Sequence, residues 1–495
     1  MRPCARVARE LAPRAPGARR VWVMAGGVVG HGGDVDEGWR AQFPLRARGR
    51  HLVNRHGERY KLAGVNWYGA SDVCLVPGGL TERPLEGICG AVASMGFTVV
   101  RLPFSNDMLH AEQVPEGGID YQLNPGLAGL TPLEVFDRVI DALGDVGVAV
   151  VVNNHTTVSA WSAGPDCNGL WYVEGSTLYT EDNWIGDWVS LASRYANRPH
   201  VVGYDLRNEV RPTTLMRAAA GGPAWGSGED GTDWALAAGN CARALATLGQ
   251  AAPGLIIVER IAWPQDPLRV MLEPRAPWQL WGVPQDRVVL GVHAYAWSGP
   301  GAWSPKAFAG HLANAFLQIA DFMRSQTLYG EMNEEALQAQ LDLEFGQCLD
   351  QDLCPVWVSE FGADLNSEYE CKWFFMFCRY LQRKDADFAY WPLNVGIKPG
   401  GSEDEPYGFL TDDWQPRWCD PRLRALTQML PEESRRFGLQ AAGARCEQLM
   451  LNGIRRALLP SPWCEPLPGP LLPWPDEPSS TDVSASPTAT PSPPE

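Results

Sequence analysis

The sequence lacks the features of several large protein classes. No stretch reaches the ~18 consecutive apolar residues that a membrane-spanning helix requires, and the apolar run from Val21 to Val29 is short for a secretion signal. Phosphate-loop glycine motifs are absent, and the twelve cysteines show no paired Cys-x-x-Cys spacing. These absences leave little support for a membrane protein, a phosphate-binding barrel enzyme or a zinc site, and we expect neither a metal nor a cofactor.

Positive charge is also scarce. The chain of 495 residues has 41 Lys and Arg against 58 Asp and Glu, a formal net charge of −17. A nucleic acid or an anionic membrane surface would repel such a chain, whereas a neutral polysaccharide would not. Tryptophan, in contrast, is abundant, with 21 residues, and an indole ring suits either a protein core or the face of a sugar.

The cysteines fit disulfides in an oxidising compartment. Cys348 with Cys354, and Cys74 with Cys89, are close enough in the chain to be bridged, but the sequence does not fix connectivity. Free buried thiols are the alternative.

Composition divides the chain into three regions. Residues 1–42 are Arg-rich with few acids and predict a disordered arm or leader, and residues 461–495, rich in Pro, Ser and Thr, predict a disordered tail. Between them, in 43–460, short apolar segments alternate with amphipathic helical segments, which indicates repeated β-α units and a parallel sheet. We therefore predict an α/β fold, a (β/α)8 TIM barrel with a C-terminal helical extension. The predicted strands are 60–65, 97–102, 148–154, 201–207, 255–259, 287–292, 355–359 and 387–391.

Helices are expected between these strands, and a hairpin through 52–60 is expected to close one end of the barrel. The segment 305–352 is longer than a crossover needs, so it predicts an additional helix. The predicted helices are 133–143, 184–195, 234–248, 369–383 and, in the extension, 423–457.

Two predicted strands end in a glutamate. Val201–Asn208 runs into Glu209, and Pro355–Ser359 runs into Glu360. The carboxyl ends of parallel barrel strands meet on one face, so the two acids should converge. Cleavage of a glycosidic bond needs one carboxyl group to protonate the leaving oxygen and another to attack the sugar or activate water. Glu259 also ends a strand, and we interpret it as a structural or subsite salt-bridge residue.

Short motifs at the other strand ends complete a pattern. Together, and in this order, they resemble glycoside hydrolase family 5, the cellulase-like barrels of a clan of retaining glycosidases, over roughly residues 45–420. Val210 departs from the pattern, because the family usually has Pro after its Asn-Glu. The matching segments are Gly64-Val65-Asn66-Trp67, Arg101-Leu102-Pro103-Phe104, Asn154-His155, Asn208-Glu209, His293-Ala294-Tyr295, Ser359-Glu360-Phe361-Gly362 and Trp391.

The resemblance implies roles for the catalytic pair. Glu209 would be the general acid/base, keeping its proton through partial burial and the nearby second carboxylate. Glu360 would be the nucleophile, held ionised by Arg101 and accepting a hydrogen bond from Tyr295. A retaining mechanism predicts carboxyl groups ~5–5.5 Å apart.

The resemblance also implies substrate contacts. Asn208 would bond the 2-hydroxyl of the sugar being cleaved, His155 and His293 would orient these groups, and Trp391 would form the floor under that sugar. A regular strand points Asn208 and Glu209 to opposite faces, so the chain must bulge or bend here. Further sugar subsites or core positions are expected at Trp67, Trp161, Trp171, Trp263, Trp297 and Trp303.

The function expected from this pattern is a retaining endo-β-1,4-glucanase that acts by double displacement. A polysaccharide or oligosaccharide partner follows from the substrate class, and an extracellular location follows from the substrate class and the number of cysteines. We also expect a monomer. Mannanase, exo-β-1,3-glucanase, transglycosylase and glycolipid glycosidase activities stay open, because one barrel hosts many specificities. A catalytically silent carbohydrate-binding wall protein is the alternative from another class.

Overall fold

The computed structural model describes residues 23–24, 27–28, 37–161, 166–214, 223–229, 231–261, 283–299, 328–395 and 406–434. Eight parallel strands in this part form a closed barrel, so the prediction of a (β/α)8 fold is confirmed and every predicted strand overlaps an observed one. In chain order they are β1 (Ala63–Asn66), β2 (Val99–Ser105), β3 (Ala149–Thr156), β4 (Val201–Asp205), β5 (Leu255–Glu259), β6 (Val288–His293), β7 (Val356–Glu360) and β8 (Asp387–Tyr390).

Helices surround the barrel, and local caps fix where several of them begin. Thr131 Oγ1 accepts a hydrogen bond from the backbone N–H of Glu134, and the backbone N–H of Thr131 donates to the Glu134 carboxylate, a capping box that starts the helix before β3. Asp233 caps the helix after β4 with one such bond, by accepting from the N–H of Leu236. The α-helices of the described part are Glu37–Arg40, Leu85–Ser94, Asn106–His110, Pro132–Asp145, Glu181–Arg194, Trp234–Thr247, Glu334–Leu341, Gln347–Asp350, Glu368–Lys384 and Pro421–Thr427.

The strands are buried on both faces. Along β2 and β3, Val99 and Val151 point into the barrel, whereas Val100 and Val150 pack against the helices. This period of two divides the core into an inner and an outer layer. Parallel strands covered on both sides are accordingly continuous apolar runs in the sequence.

A short N-terminal segment closes the amino end of the barrel. Strands Arg46–Arg48 and His51–Val53 pair as a hairpin, and Leu52 packs into the inner core. The hairpin predicted through 52–60 follows it, with Val53 paired antiparallel to Arg59. The helix Glu37–Arg40 precedes it, and Trp39 makes an edge contact with Phe43. Ordered packing therefore begins ahead of the predicted boundary at residue 43. Strands Val23–Met24 and Gly27–Val28 also pair; the rest of the predicted arm and the tail 461–495 lie outside the described residues.

Two expectations require correction. The helix predicted over 423–457 is interrupted: a first helix ends at Thr427 and helical residues resume at 432–434, because Pro431 lacks a backbone N–H and disfavours a helical conformation at the residue before it. Residues 435–457 lie outside the described part of the chain. Cys74, Cys89, Cys348 and Cys354 are free thiols, so neither proposed pair is bridged. The additional helix expected in 305–352 is represented by Glu334–Leu341, while 305–327 lies outside the described residues. Among the helices described, none has the length and apolarity to cross a membrane.

Candidate active site

The backbone after β4 turns both Asn208 and Glu209 toward the mouth of the barrel. The strand ends at Asp205, and Glu209 has a φ of 43°, in the left-handed region that non-glycine residues rarely adopt. The Asn208 Oδ1 atom accepts from Arg101 at 2.8 Å, while the Glu209 carboxylate reaches His293 at 2.9 Å. The bend required by the sequence is therefore present as a break in the strand.

Arg101, at the middle of β2, is the electrostatic centre of the site. Its side chain is fully buried, and burial would lower its pKa, but the surrounding carboxylates outweigh this and raise it. Such a cation is held by charge-assisted hydrogen bonds on every side. Arg101 donates to Asn66 Oδ1 (2.9 Å), Asp205 Oδ2 (2.7 Å), Asn208 Oδ1 (2.8 Å), Glu259 Oε1 (2.7 Å) and Glu360 Oε2 (3.0 Å).

Glu360, the last residue of β7, has both carboxylate oxygens bound. Oε2 accepts from Arg101, and Oε1 accepts from the hydroxyl of Tyr295 at 2.7 Å. Burial is the largest influence and raises the pKa of Glu360 above its ordinary value, with the charge of Glu209 acting in the same direction. His293, Arg101 and Tyr295 lower the pKa, but by less. Arg101 therefore lowers the pKa of Glu360, as we expected, but burial raises it by more.

His293, the last residue of β6, connects the two glutamates. Its Nδ1 lies 2.9 Å from Glu209 Oε1 and 3.8 Å from Glu360 Oε2, and its Nε2 lies 3.3 Å from Glu259 Oε1. Burial alone would lower the pKa of this imidazole, but Glu259 and Glu360 raise it well above the ordinary value. His293 is therefore an imidazolium near neutral pH.

The pKa of Glu209 shifts in the direction opposite to the one expected. Burial would raise the pKa of Glu209, yet the hydrogen bond and charge of His293 outweigh it and lower the pKa. The proton that we expected on Glu209 therefore lies on His293 Nδ1, across a 2.9 Å hydrogen bond. The pair still holds one proton that can be transferred. A neutral imidazole with a protonated Glu209 has the same total charge as an imidazolium with an ionised Glu209.

The two glutamates face one another closely. One ligand atom from each of Glu209, His293 and Glu360 lies within 4.8 Å of the others. Carboxyl groups at this spacing match the short gap of retaining glycosidases rather than the ~6.5–9.5 Å gap of inverting ones. Within the part of the chain that the structure describes, these three side chains also form the set with donor spacing for a metal ion, although the carboxylates are already bound by Arg101, Tyr295 and His293.

An aromatic surface adjoins the carboxylates. The ring of Trp391, just after β8, is parallel to that of His155 (centroids 5.5 Å apart, 6° between planes) and stacks on Tyr68 (5.2 Å, 17°). Burial, followed by the charge of Arg101, lowers the pKa of His155 well below its ordinary value, so this imidazole is neutral. His155 therefore supports Trp391 as an uncharged ring, and its Nδ1 lies 2.9 Å from Asn153 Oδ1.

The other candidate tryptophans separate into two groups. Trp161 contacts Trp391 edge-on at 6.1 Å, and Trp297 is half exposed and stacks on Tyr295 at 4.8 Å. Trp67 and Trp171 are buried in the core, so they are packing residues and not subsites. Trp263 and Trp303 lie outside the described residues.

Sequence reasoning missed Asp205, gave Asn66 no role and underrated Glu259. Asp205 and Asn66 each bind Arg101 directly. Glu259 makes the salt bridge we expected, but its partner is Arg101, and it also accepts from the backbone N–H of Glu209 at 2.8 Å. A charged or amide side chain at the last position of a buried strand was the available signal for all three.

A family model agrees with this geometry. The description "Cellulase (glycosyl hydrolase family 5)" matches residues 55–396. Among curated proteins, an endoglucanase of Paenibacillus polymyxa is 29% identical over 404 residues, covering 77% of this chain and 86% of that protein. The major extracellular endoglucanase of Xanthomonas campestris pv. campestris is 34% identical over 258 residues, covering 50% of this chain and 48% of that protein.

Solved structures give the same result. A hyperthermophilic endocellulase from the archaeon Pyrococcus horikoshii is 25% identical with a TM-score of 0.61, covering 79% of this chain and 100% of that one. The catalytic domain of the major endoglucanase of Xanthomonas campestris pv. campestris is 27% identical with a TM-score of 0.58, covering 78% and 99%. The resemblance and the glycoside hydrolase activity expected from the sequence are confirmed. This chain belongs to the cellulase family, glycosyl hydrolase family 5.

Proposed function

We propose that the protein is a retaining endo-β-1,4-glucanase in which Glu360 is the nucleophile and Glu209 the general acid/base. The observation that carries this proposal is the placement of one oxygen from each carboxylate within 4.8 Å, at the mouth of a barrel and beside an aromatic floor. The names of the relatives, endoglucanase and endocellulase, support the β-1,4-glucan as substrate.

The first step would form a glycosyl-enzyme. Glu360 Oε1 or Oε2 attacks the anomeric carbon from the face opposite the leaving group, while the glycosidic oxygen takes a proton from Glu209 and departs as an alcohol. Before this step, as substrate displaces water from the site, His293 Nδ1 passes its proton to Glu209, so that Glu209 is an acid when the bond breaks and a carboxylate afterwards. Asn208 lies beside Arg101 at 2.8 Å, where its amide group can bond the sugar 2-hydroxyl.

The second step would release the product. Glu209, now ionised, removes a proton from water, which attacks the anomeric carbon and breaks the bond to Glu360. Two inversions at one carbon give a product with the original β configuration. Arg101 and the hydroxyl of Tyr295 stabilise Glu360 when it leaves as a carboxylate.

An extracellular location is part of the proposal. One relative is named a major extracellular endoglucanase, and Cys371 and Cys419 are disulfide-bonded, as is usual for proteins of oxidising compartments. A polymeric glucan substrate, which does not enter cells, is consistent with this location. A monomer would suffice, since each residue invoked comes from one chain.

The proposal is tested by product stereochemistry and by substitution. Wild-type protein should release soluble oligosaccharides from carboxymethylcellulose, faster than from mannan or β-1,3-glucan, and nuclear magnetic resonance should show the β anomer first. Glu360→Ala and Glu209→Gln should each lower kcat by about 10⁴-fold or more, while Glu335→Gln, an exposed control, should leave it unchanged. Added azide should rescue Glu360→Ala and give the α-glycosyl azide. Release of the α anomer first, or equal background rates for wild type and Glu360→Ala, would contradict the proposal.

A further inference from the structure

Glu259, the last residue of β5, is a buried third carboxylate that takes no part in the two displacement steps. Its Oε2 accepts from the backbone N–H of Glu209 at 2.8 Å. Its Oε1 accepts from Arg101 Nη2 at 2.7 Å and lies 3.3 Å from His293 Nε2. One side chain therefore contacts groups from β2, from β6 and from the segment that follows β4.

The contacts of Glu259 require an ionised carboxylate. Burial would raise its pKa, but His293 and Arg101 outweigh burial and lower the pKa. Both oxygens of a carboxylate accept hydrogen bonds, whereas an amide of the same shape has one acceptor and one donor. Glutamine in this place would set its own N–H against the N–H of Arg101 or of Glu209, so one of the two contacts would be lost.

The bond from the Glu209 N–H fixes an unusual backbone. Glu209 has a φ of 43°, and a residue other than glycine stays in this region only when the surrounding structure holds it there. Glu259 binds the peptide group before the Glu209 Cα atom, and Arg211 donates to the carbonyl after it at 3.1 Å. The direction of the Glu209 side chain toward His293 therefore depends on Glu259 from one side and on Arg211 from the other.

Arg101 depends less on Glu259 than Glu209 does. If one oxygen of Glu259 were lost, the guanidinium would keep its other acceptors and would stay in place beside the nucleophile. Loss of the carboxylate should therefore displace the acid/base and leave the nucleophile where it is. The remaining acceptors of Arg101 are Asn66, Asp205, Asn208 and Glu360.

A glycine on the neighbouring strand leaves room for the Glu259 side chain. Gly291 of β6 pairs with Glu259, and a Cβ atom on Gly291 would lie 2.9 Å from Glu259 Cγ and 3.0 Å from Ile257 Cγ2. These distances are shorter than van der Waals contact between carbon atoms allows. The backbone of Glu259 is fixed as well, because Trp234 Nε1 donates to its carbonyl at 2.8 Å. The path of this side chain toward Glu209 is therefore built into two strands.

We propose that Glu259 is a positioning residue that holds Glu209 in the orientation needed to protonate the leaving oxygen, and that Gly291 keeps its path open. The inference rests on the proposed function, because it takes Glu209 as the acid/base. A misplaced acid slows only those substrates whose leaving group needs a proton. Phenolate needs one, whereas dinitrophenolate leaves without it, because its nitro groups stabilise the negative charge.

Two aryl β-cellobiosides that differ only in the leaving group provide the test. Glu259→Gln should lower kcat/KM for the phenyl glycoside by about 10²-fold and leave kcat/KM for the dinitrophenyl glycoside nearly unchanged. Glu259→Asp keeps the charge but is one methylene too short to reach both Arg101 and Glu209, so it should show the same selective loss. Equal losses on both substrates, or full activity of Glu259→Asp, would overturn the positioning role.

A second variant moves Glu259 without changing a polar group. Gly291→Ala should lower the ratio of phenyl to dinitrophenyl kcat/KM by about tenfold. Gly203→Ala in β4 is the matched control, because its Cβ atom would meet the apolar atoms Ile257 Cδ1 at 2.7 Å and Val151 Cγ2 at 3.3 Å. The control should leave the ratio unchanged. An unchanged ratio in Gly291→Ala, or the same change in both variants, would contradict the inference.

A crystal structure of Glu259→Gln gives a readout that does not depend on hydrolysis. Glu209 Oε1 should leave its place 2.9 Å from His293 Nδ1, whereas Arg101 should keep its contacts with Asp205 and Glu360. If Glu209 moves in the variant but the wild-type protein hydrolyses neither glycoside, the proposed function fails and the positioning role stands. If the wild type is active but Glu209 stays in place in the variant, the positioning role fails and the proposed function stands.

Discussion

His293 Nδ1 lies 2.9 Å from Glu209 Oε1, and this contact shifts the pKa values of the two groups in opposite directions. The pKa of His293 is raised well above its ordinary value of 6.5, and that of Glu209 is lowered below 4.5. In the proposed mechanism, His293 therefore supplies the proton that Glu209 needs to act as an acid at neutral pH. Strong coupling of this kind makes the titration a property of the pair.

The first prediction concerns the pH dependence of kcat/KM. Activity requires Glu360 ionised, and its pKa is raised above 4.5, so the acid limb should lie above pH 4.5. It also requires one proton on the Glu209–His293 pair, so the alkaline limb should lie above pH 6.5. His293→Gln removes the imidazolium and leaves the proton to Glu209 alone, which should move the alkaline limb to lower pH. An unchanged alkaline limb in this variant would show that His293 does not hold the proton.

The second prediction concerns the hydroxyl of Tyr295, which donates to Glu360 at 2.7 Å and lowers the pKa of that carboxyl. Tyr295→Phe should raise the pKa of Glu360 further, so the acid limb of the kcat/KM profile should shift to higher pH. It should also lower kcat by about 10²-fold, the usual cost of removing one oriented donor. Steady-state kinetics from pH 4 to 8 measure both effects. Tyr369→Phe, which loses a bond to the backbone of Ala296 instead, is the control and should shift neither.

The third prediction concerns Arg211, which braces the unusual backbone at Glu209. Its Nη1 donates to the carbonyl of Glu209 at 3.1 Å, and its Nη2 donates to Asp166 at 3.0 Å. Arg211→Lys cannot make both contacts, because an ammonium lacks the planar fork of a guanidinium. We expect kcat to fall by about tenfold through misplacement of Glu209, with KM for an aryl β-cellobioside nearly unchanged. Arg138→Lys, on an exposed helix face, should have no effect, and a pure KM effect in Arg211→Lys would contradict the bracing role.

The fourth prediction concerns Asp72, a buried carboxyl whose Oδ2 lacks a hydrogen-bond partner. Burial raises its pKa from 3.8 to about 8. The unfolded chain therefore releases this proton near pH 4 and the folded chain near pH 8, so the group lowers the free energy of unfolding as pH rises through that window. Asp72→Asn stays neutral at every pH. It should be more stable than wild type by a few kcal/mol above pH 8 and similar to it below pH 4, as measured by urea unfolding.

The control for this stability prediction is Asp412→Asn, which alters an exposed carboxyl. Its difference from wild type should be small at every pH. A constant stability difference for Asp72→Asn between pH 4 and 8 would mean that Asp72 is ionised throughout the range.

The sequence determined the barrel and named the two carboxyl groups that we propose react. Continuous apolar strands separated by amphipathic helices allow few architectures, because a parallel strand pair needs a crossover long enough for a helix. The carboxyl ends of β4 and β7 then lie on one face by topology alone. Glu209 follows β4 and Glu360 ends β7, so both could be named before their separation was known. The sequence predicted one continuous helix after residue 423, because the periodicity continues past Pro431, whereas the backbone is not helical between Thr427 and residue 432.

The tertiary structure decided the charge state of the site and the part played by each aromatic ring. Whether Trp67 meets a sugar or the core depends on which side of its loop packs inward, and nothing in its neighbours along the chain specifies that. The pKa values of Glu209, His293 and Glu360 arise from burial and from charges that come from different strands, so they exist only once the barrel closes. Local residue patterns set which groups are available, but the balance between desolvation and charge is a property of their three-dimensional distances.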